Sequence, residues 1–270
     1  MVVVVKIGGN VAKEIENSDI ALDVKSFLSR NQKIILVHGG GAEVTRVASM
    51  LGKEQKFVVS PGGFRSRYTD KETVEIFAMV MAGKINKQIV ALLQKEGIPA
   101  VGLCGLDGGL IRAERKKKII MVDERGRKRV IDGGYTGKIN SVNADLLNLL
   151  LSHGYLPVIA PLAMGDEYEF LNVDADRTAA YLAGTVKAER LVLLTDVDGL
   201  ILDGKIQPKL SLSEVERILP KIGPGMITKV YAAIEAVKMG VPEAIISNGL
   251  RKLPISSAVN HECGTVITGE

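Results

Sequence analysis

Two lysines and two glycine-rich turns are the residues of this sequence best suited to chemistry. Lys6-Ile7-Gly8-Gly9 follows the apolar run Val2 to Val5, and Val37-His38-Gly39-Gly40-Gly41 follows a second apolar run. Glycine has no Cβ, so its backbone N–H can approach an anion closely, and lysine adds a compact positive charge. A third segment, Gly225-Met226-Ile227-Thr228-Lys229, ends in another lysine. Together these segments predict a site for phosphoryl transfer.

Each segment also has a simpler interpretation. Lys6 fits an ordinary strand end, and Gly39 to Gly41 fit a tight turn that needs positive φ. Asn172-Val173-Asp174-Ala175-Asp176 fits either a helix N-cap or a ligand site at the carboxyl end of a parallel strand. Thr195-Asp196-Val197-Asp198-Gly199 repeats that placement after the next predicted strand, and it fits a turn equally well.

Two standard nucleotide-binding motifs are incomplete in this sequence. Gly199 to Lys205 matches the first seven positions of a P-loop, but Ile206 stands where Ser or Thr would bind Mg²⁺. The two Gly-x-Gly pairs, which begin at Gly39 and Gly223, lack the third glycine of a dinucleotide-binding fingerprint. Both kinds of site are therefore disfavoured.

Two arginines precede the longest predicted helix. They lie in the run Gly63-Phe64-Arg65-Ser66-Arg67-Tyr68-Thr69-Asp70. The planar fork of a guanidinium binds both oxygens of a carboxylate. Arg65 and Arg67 therefore predict a carboxylate ligand, with a solvated pair as the alternative.

Strand-like and helix-like segments alternate along the chain, which predicts an open α/β fold with a mainly parallel sheet sandwiched by helices. The predicted strands are Val2–Ile7, Lys33–Val37, Ala100–Leu103, Leu156–Ala160, Arg190–Leu194, Ala244–Ile246 and Thr265–Ile267. The predicted helices are Ile20–Arg30, Ala42–Leu51, Asp70–Glu96, Asn143–His153, Asp174–Thr185, Ser213–Leu219 and Met226–Met239. Residues 105–136 are richer in Gly, Arg and Lys and predict an appended β-hairpin region with its turn at Glu124–Arg127. We expect one domain over residues 1–270, whose halves share one sheet.

Length and composition restrict the class of protein. A chain of 270 residues that is 46% hydrophobic suffices for one large α/β domain. No apolar run approaches the roughly 18 residues that span a bilayer, so we predict no membrane partner. Cys104 and Cys263 are too few for a disulfide framework and favour a reducing, cytoplasmic setting. The three histidines are scattered and no zinc spacing occurs, so we predict no metal held by protein side chains alone.

The net charge of +4 comes from one segment. Residues 112–129 contain nine Lys or Arg and three acids, a net +6, which leaves about −2 for the rest of the chain. A local basic surface of this kind predicts docking of an acidic partner, with a solvated hairpin as the alternative. No aromatic platform accompanies the charges, so we predict no nucleic-acid partner.

In order along the chain, these motifs resemble the amino acid kinase family and, within it, the N-acetylglutamate kinase branch. The resemblance extends from Lys6 to Thr265. It implies the open, mainly parallel α/β fold of amino acid and carbamate kinases, with MgATP as phosphoryl donor and a carboxylate as acceptor. It also implies that residues 1–172 form an acidic-substrate lobe and residues 173–270 an ATP-binding lobe. A homodimer through the long helix near residues 70–96 is the default in the family.

The resemblance implies a role for each candidate site residue. Lys6 and Lys229 would flank the transferring phosphoryl group, and Asp176 would orient both lysines. The N–H groups of Gly9, Gly40 and Gly41 would contact that group and the reacting carboxylate, with Mg²⁺ held largely by ATP oxygens and water. Three further residues have less direct roles: Arg67 and Asn172 would bind the α-carboxylate end of the substrate, and Asp196 would line the nucleotide pocket.

The arginine run distinguishes between branches of the family. N-acetylglutamate kinases usually have a sequence close to Gly-Leu-Arg-Val-Thr-Asp at this place, whereas this chain has an additional Arg-Ser step and a tyrosine. This residue pattern resembles that of the lysine-biosynthesis kinases of archaea and Thermus-type bacteria. Those kinases phosphorylate α-aminoadipate, and in some archaea also glutamate for arginine synthesis, on a small acidic carrier protein of the LysW type. Arg65 would then contribute to recognition of the carrier-linked substrate.

Other functions remain open at the level of sequence. An N-acetylglutamate kinase that uses the free acid is the nearest alternative. A catalytically idle nucleotide- or amino-acid-binding protein is less favoured, because both lysines and Asp176 are present. A uridylate kinase is also less favoured, because Arg65 and Arg67 suit a carboxylate.

Overall fold

The apolar runs of the sequence form the buried centre of the molecule. The computed structural model describes residues 1–270. Val3, Val4 and Val5 are fully buried, as expected for a strand with helices on both faces of its sheet. The strands are β1 Val2–Ile7, β2 Lys33–His38, β3 Phe57–Val59, β4 Arg65–Arg67, β5 Ala100–Cys104, β6 Ile111–Arg115, β7 Lys118–Val122, β8 Lys128–Asp132, β9 Gly137–Val142, β10 Leu156–Ala160, β11 Leu162–Met164, β12 Phe170–Asn172, β13 Arg190–Thr195, β14 Ile201–Leu202, β15 Lys205–Ile206, β16 Lys209–Ser211, β17 Glu243–Asn248 and β18 Thr265–Thr268.

Ten helices surround the strands. They are α1 Gly9–Lys13, α2 Ile20–Ser29, α3 Gly41–Met50, α4 Lys71–Ala78, α5 Asn86–Lys95, α6 Ala144–Ser152, α7 Ala175–Thr185, α8 Leu212–Ile218, α9 Met226–Lys238 and α10 Pro254–Val259. The polar residue before several of them is an N-cap: Asn143 accepts a hydrogen bond from Leu146 N, and Asp174 accepts one from Arg177 N. Every helix and strand predicted from the sequence is confirmed to within two residues at each end.

One eight-stranded sheet runs through both halves of the chain, in the order β16-β18-β17-β13-β1-β2-β10-β5. All its pairings are parallel except that between β17 and β18. Ile7 of β1 lies opposite His38 of β2 and Leu194 of β13. The chain segments that follow these three strands therefore emerge side by side at one edge of the sheet. The shared sheet confirms the predicted α/β fold, while the division into two functional lobes stays a prediction.

The longest helical segment, Lys71–Lys95, is not a regular α-helix. Between α4 and α5 the residues Met79–Ile85 form a π-helical segment, and Asn86 N donates to Met81 O five residues back. By length and composition alone, Lys71–Lys95 would suffice to cross a membrane. The core helix of a globular domain meets the same test, and Phe77 and Ile89 of this helix are buried in the core. Its composition therefore does not indicate a membrane span.

The region after β5 contains more sheet than the sequence predicted. β7 and β8 form the predicted antiparallel hairpin, in which Ile120 lies opposite Val130. β6 and β9 on either side of this hairpin join β11 and β12 in a separate four-stranded sheet, which was not predicted. A further hairpin, β3–β4, contacts β7. The two hairpins therefore lie next to each other.

Candidate active site

Three charged side chains from three elements meet at the edge of the large sheet. Lys6 near the end of β1 places its Nζ 2.6 Å from Oδ1 of Asp176, at the start of α7. Lys229 from the first turn of α9 places its Nζ 3.4 Å from Oδ2 of the same carboxylate. Lys6 and Asp176 are buried and Lys229 is nearly so. Two ammonium groups share one carboxylate, so these three side chains together carry a net positive charge that suits an anion.

The two lysines keep Asp176 ionised. Burial by itself would raise the pKa of this carboxyl, but Lys6 and Lys229 outweigh burial and hold the pKa below its usual range. Lys6 Nζ is the ion-pair partner of the buried Oδ1. Thr228 Oγ1 approaches Oδ2 at 3.4 Å. The carboxylate therefore fixes the position of both ammonium groups.

The two glycine-rich turns pack directly against each other beside this cluster. A Cβ added to Gly9 would lie 3.3 Å from Gly40 N, and one added to Gly39 would lie 3.0 Å from Gly9 N. The amides of Gly9, Gly40 and Gly41 donate to no acceptor in the molecule. Gly41 is the first residue of α3, where free N–H groups favour an anion. Glycine is thus required here for the close approach of two backbone segments.

The buried side chain of His38 supports the second glycine turn, Gly39 to Gly41. Its ring is fully buried; Nδ1 donates to Gly39 O at 3.0 Å, and Nε2 accepts from Asn86 at 3.3 Å. This tautomer follows from the hydrogen-bond network, because a carbonyl cannot donate. Burial lowers the pKa of His38 to about 4, so the ring is neutral at neutral pH. Its role is structural.

Arg67 contacts the second glycine turn, and Asn172 is linked to Arg67 through Thr69. Arg67 donates to Gly41 O at 2.7 Å, to Thr45 Oγ1 at 2.9 Å and to the side chain of Gln55. Asn172 at the end of β12 donates to Thr69 Oγ1 at 3.0 Å, and Thr69 in turn donates to Arg67 O. The structure therefore brings Arg67 to the glycine turn and links Asn172 to Arg67 through one intervening side chain.

Arg65 is placed differently from Arg67. Its side chain is exposed, and its Cζ lies 3.9 Å from the centroid of the Phe57 ring. Arg65 makes no hydrogen bond or ion pair with the other predicted site residues. Its guanidinium is therefore held by stacking alone.

Asp196 follows β13 at the same edge of the sheet. Asn10, which follows Gly9, donates to Asp196 Oδ2 at 2.8 Å, and this hydrogen bond lowers the pKa of Asp196 below its usual range. A cavity of about 520 Å³ begins near Asp198 and extends to Glu243 and His261. None of the predicted site residues lines it, so the lysine–carboxylate cluster, not this cavity, defines the candidate site.

Several side chains that complete the site were not predicted from the sequence. Asn10 and Thr228 are direct neighbours of the predicted Gly9 and Lys229, so adjacency to a motif was a usable signal. Gln55 and Phe57 had no such signal, because β3 has only three residues and its periodicity cannot be recognised. Thr45 lies one helical turn after Gly41 and was assigned only to a predicted helix.

Comparison with known proteins agrees with this geometry. The model of the amino acid kinase family matches residues 1–248. A putative [LysW]-aminoadipate/[LysW]-glutamate kinase of Cenarchaeum symbiosum is 57% identical over 265 residues, with 98% of each chain covered. A [LysW]-aminoadipate/[LysW]-glutamate kinase of Sulfolobus acidocaldarius is 48% identical over 266 residues, covering 98% of this chain and 99% of that one.

The fold is also similar to solved structures. An N-acetylglutamate synthase from Neisseria gonorrhoeae superposes with a TM-score of 0.82 at 23% identity, over 100% of this chain and 59% of that one. At this identity the likeness concerns the fold alone. The family match and the two close relatives agree with the ordered motifs of the sequence and with the fold. The chain therefore belongs to the amino acid kinase family.

Proposed function

We propose that the protein transfers the γ-phosphoryl group of ATP to the side-chain carboxylate of α-aminoadipate or glutamate carried on a LysW-type protein. The product would be an acyl phosphate. The observation that carries this proposal is the cluster of Lys6, Asp176 and Lys229 beside two glycine turns with free amides. The substrate class rests on the names of the two relatives at 57% and 48% identity.

The residues present fit the phosphates of ATP. Lys6 and Lys229 share one carboxylate and so keep an excess positive charge, and the amides of Gly9, Gly40 and Gly41 offer hydrogen-bond donors to oxygens. ATP supplies the phosphoryl group. A carboxylate substrate is already ionised at neutral pH, so no protein base is required. The protein's contribution is to position the two reactants and to neutralise charge on the transferring group.

Asp176 acts on the lysines, not on the substrate. It holds both ammonium groups by ion pairs, so they need not reorganise as charge develops between them. Arg67 and Asn172 would bind the non-reacting α-carboxylate, and Asp196 with Asn10 would border the nucleotide. We propose that Mg²⁺ enters with ATP and is held largely by phosphate oxygens and water. No cluster of three or more His, Cys, Asp or Glu side chains is placed to hold a metal.

The β7–β8 hairpin supports a protein-borne substrate. Lys117, Lys118 and Lys128 have no acidic partner, whereas Arg127 and Arg129 are paired with Asp123. Ile120 and Val130 lie opposite each other and are 51% and 64% exposed. An apolar pair with the unpaired Lys118 and Lys128 on the same face of the hairpin suits an acidic protein surface. Because β3 contacts β7, a carrier docked there would lie next to the arginine hairpin.

Charge reversal tests this docking surface. For Lys117→Glu, Lys118→Glu and Lys128→Glu combined, we expect the KM for the carrier-linked acid to rise about tenfold at low salt, with kcat little changed. Reversal of Lys25, Lys187 and Lys205, which are also exposed, is the matched control. An unchanged KM in the hairpin variant would remove the hairpin from carrier recognition.

The function itself is tested by hydroxylamine trapping of acyl phosphate with MgATP. Free N-acetylglutamate is compared with carrier-linked aminoadipate and carrier-linked glutamate. Turnover of the carrier-linked acids alone supports the proposal, and turnover of both would add arginine biosynthesis to lysine biosynthesis. Turnover of N-acetylglutamate alone would overturn it in favour of a conventional N-acetylglutamate kinase.

We also propose that the protein acts as a homodimer in the cytoplasm. Met50 at the end of α3, Leu51 directly after it and Met79 on the π-helical segment are exposed apolar side chains, and the two elements contact each other. Such a patch supports association through the long helix. Analytical ultracentrifugation of the wild type and of Met79→Lys tests it, and a wild-type monomer at micromolar concentration would contradict it. Cys104 and Cys263 are both free thiols, in keeping with a reducing compartment.

A further inference from the structure

The β3–β4 hairpin holds two guanidinium groups against one aromatic ring. Cζ of Arg65 lies 3.9 Å from the centroid of Phe57, and Cζ of Arg67 lies 4.9 Å from it. Phe57 is paired directly with Arg67 across the hairpin, and Arg65 is two residues before Arg67 on the same strand. Residues two apart on a strand project from the same face. The register of this short hairpin therefore places both cations beside Phe57.

No acid neutralises this pair of cations. Arg67 donates only to neutral oxygens, those of Gly41, Thr45 and Gln55, and Arg65 has no hydrogen-bond acceptor at all. Burial and the like charge of Arg65 both lower the pKa of Arg67. Two neighbouring cations that no acid balances repel each other, and an anion that contacts both would relieve this repulsion.

We propose that Phe57 is a specificity-determining positioning residue, which holds Arg65 beside Arg67 so that the two guanidiniums together bind the non-reacting carboxylate of the substrate. This inference rests on the proposed function and deepens it. Arg67 is fixed by three hydrogen bonds, but Arg65 depends on the face of the ring. Without the ring, Arg65 would sample other rotamers, and each binding event would have to order it again.

An aromatic ring is required for this role. The negative face of an aromatic ring attracts a guanidinium, whereas an aliphatic side chain of similar size offers packing alone. Phe57 is 37% exposed, so its replacement leaves no large buried cavity. Substitution of Phe57 therefore changes the placement of Arg65 more than it changes the core.

Four variants test the proposal: Phe57→Leu, Phe57→Tyr, Arg65→Gln and the double variant Phe57→Leu/Arg65→Gln. With the carrier-linked acid that the wild type turns over, we expect Phe57→Leu to raise KM about threefold to tenfold, with kcat within twofold. Phe57→Tyr keeps the ring and restores a KM near that of the wild type. The double variant has the KM of Arg65→Gln alone, because Phe57 acts through Arg65.

Two results would overturn the role of Phe57. One is an unchanged KM in Phe57→Leu; the other is an effect that adds fully to that of Arg65→Gln. Urea unfolding of each variant separates a loss of folded protein from a change in KM. A lower unfolding midpoint with unchanged KM counts against the proposal.

Failure of the proposed substrate is distinguishable from failure of this inference. N-acetylglutamate also has a free α-carboxylate, so the same four variants can be compared with it if the carrier-linked acids are not turned over. If no acid is turned over, calorimetric titration of carrier-linked glutamate compares the variants by dissociation constant. Equal affinity of wild type and Phe57→Leu would then overturn the inference.

Discussion

At the scale of single residues, the candidate site depends on how one carboxylate is shared. Asp176 contacts Lys6 and Lys229 through different oxygens, so either lysine can be removed while the other still neutralises the buried charge. Removal of one lysine is therefore expected to change turnover more than it changes the free energy of unfolding. This arrangement also makes the lysines testable, because a variant need not leave an unpaired buried carboxylate.

Lys229→Ala is expected to lower kcat about 100-fold or more, in line with the loss of one charge-stabilising group at the transferring phosphoryl. The steady-state rate of acyl hydroxamate formation measures it. Lys238→Ala, at the other end of the same helix and exposed, is the matched control and should retain normal turnover. A Lys229→Ala enzyme with near-normal kcat would exclude this lysine from the mechanism.

The sequence singled out the residues that the structure brings together more readily than it did the side chains that support them. Lys6, Gly9, Gly40, Gly41, Asp176 and Lys229 lie at ends of strands or starts of helices, where motif and secondary structure reinforce each other. Phe57 lies in a strand of three residues whose partner is another strand of three residues. Such segments have too few positions for a recognisable alternation, and their pairing depends on tertiary contacts.

At the scale of elements, the same limit explains the missed four-stranded sheet. β6 and β9 are separated in sequence by the β7–β8 hairpin, and neither was predicted as a separate strand. Long apolar strands and long amphipathic helices were predicted to within two residues, because burial on one or both faces imposes a strong pattern. Short strands that pair across an insertion leave no comparable pattern.

α10 was also missed, and it is held by a distant side chain. Asp23 of α2 is fully buried and accepts hydrogen bonds from Ile255 N at 2.7 Å and Ser256 N at 2.9 Å. It also accepts one from the Ser256 hydroxyl. Two amides at the first turn of α10 are thereby satisfied by a carboxylate more than 230 residues earlier. No local sequence signal could have predicted this cap.

Asp23→Ala is expected to destabilise the protein by about 2–4 kcal/mol, because it leaves buried N–H groups without an acceptor. Urea denaturation followed by circular dichroism measures the change. Glu16→Gln, an exposed change near the start of α2, is the control and should stay within about 0.5 kcal/mol. A comparable stability for Asp23→Ala and the wild type would show that α10 needs no cap from α2.

At the scale of the whole molecule, His38 links folding to pH. Its pKa is lowered from 6.5 to about 4 in the folded protein, so the unfolded chain binds the proton first as pH falls. Stability from His38 is complete above pH 6.5 and is lost between about pH 6.5 and 4, by up to about 3 kcal/mol. Asp176 and Glu43 also have lowered pKa values, but carboxylates lose their contribution at lower pH.

Unfolding free energy measured between pH 7 and 4.5 tests this expectation. His38→Asn retains one donor and one acceptor at the same place but does not titrate in this range. We expect its stability to fall less steeply than that of the wild type over the same interval. Parallel curves for the two proteins would assign the acid sensitivity to other groups.

The π-helical segment Met79–Ile85 has a consequence for how the chain tolerates insertion and deletion. It sets the rotation of the helix so that Ile85 lies over Gly40 and Asn86 reaches His38. Loss of a single residue there would restore regular α-helical bonding but turn every later side chain by about 100°. The shortened helix would be more regular, yet the glycine turn would lose the support of Ile85 and Asn86. We expect a single-residue deletion variant to show both lower turnover and a lower thermal unfolding midpoint. Helix length between Lys71 and Lys95 is therefore constrained by the neighbouring loop and not by the helix itself.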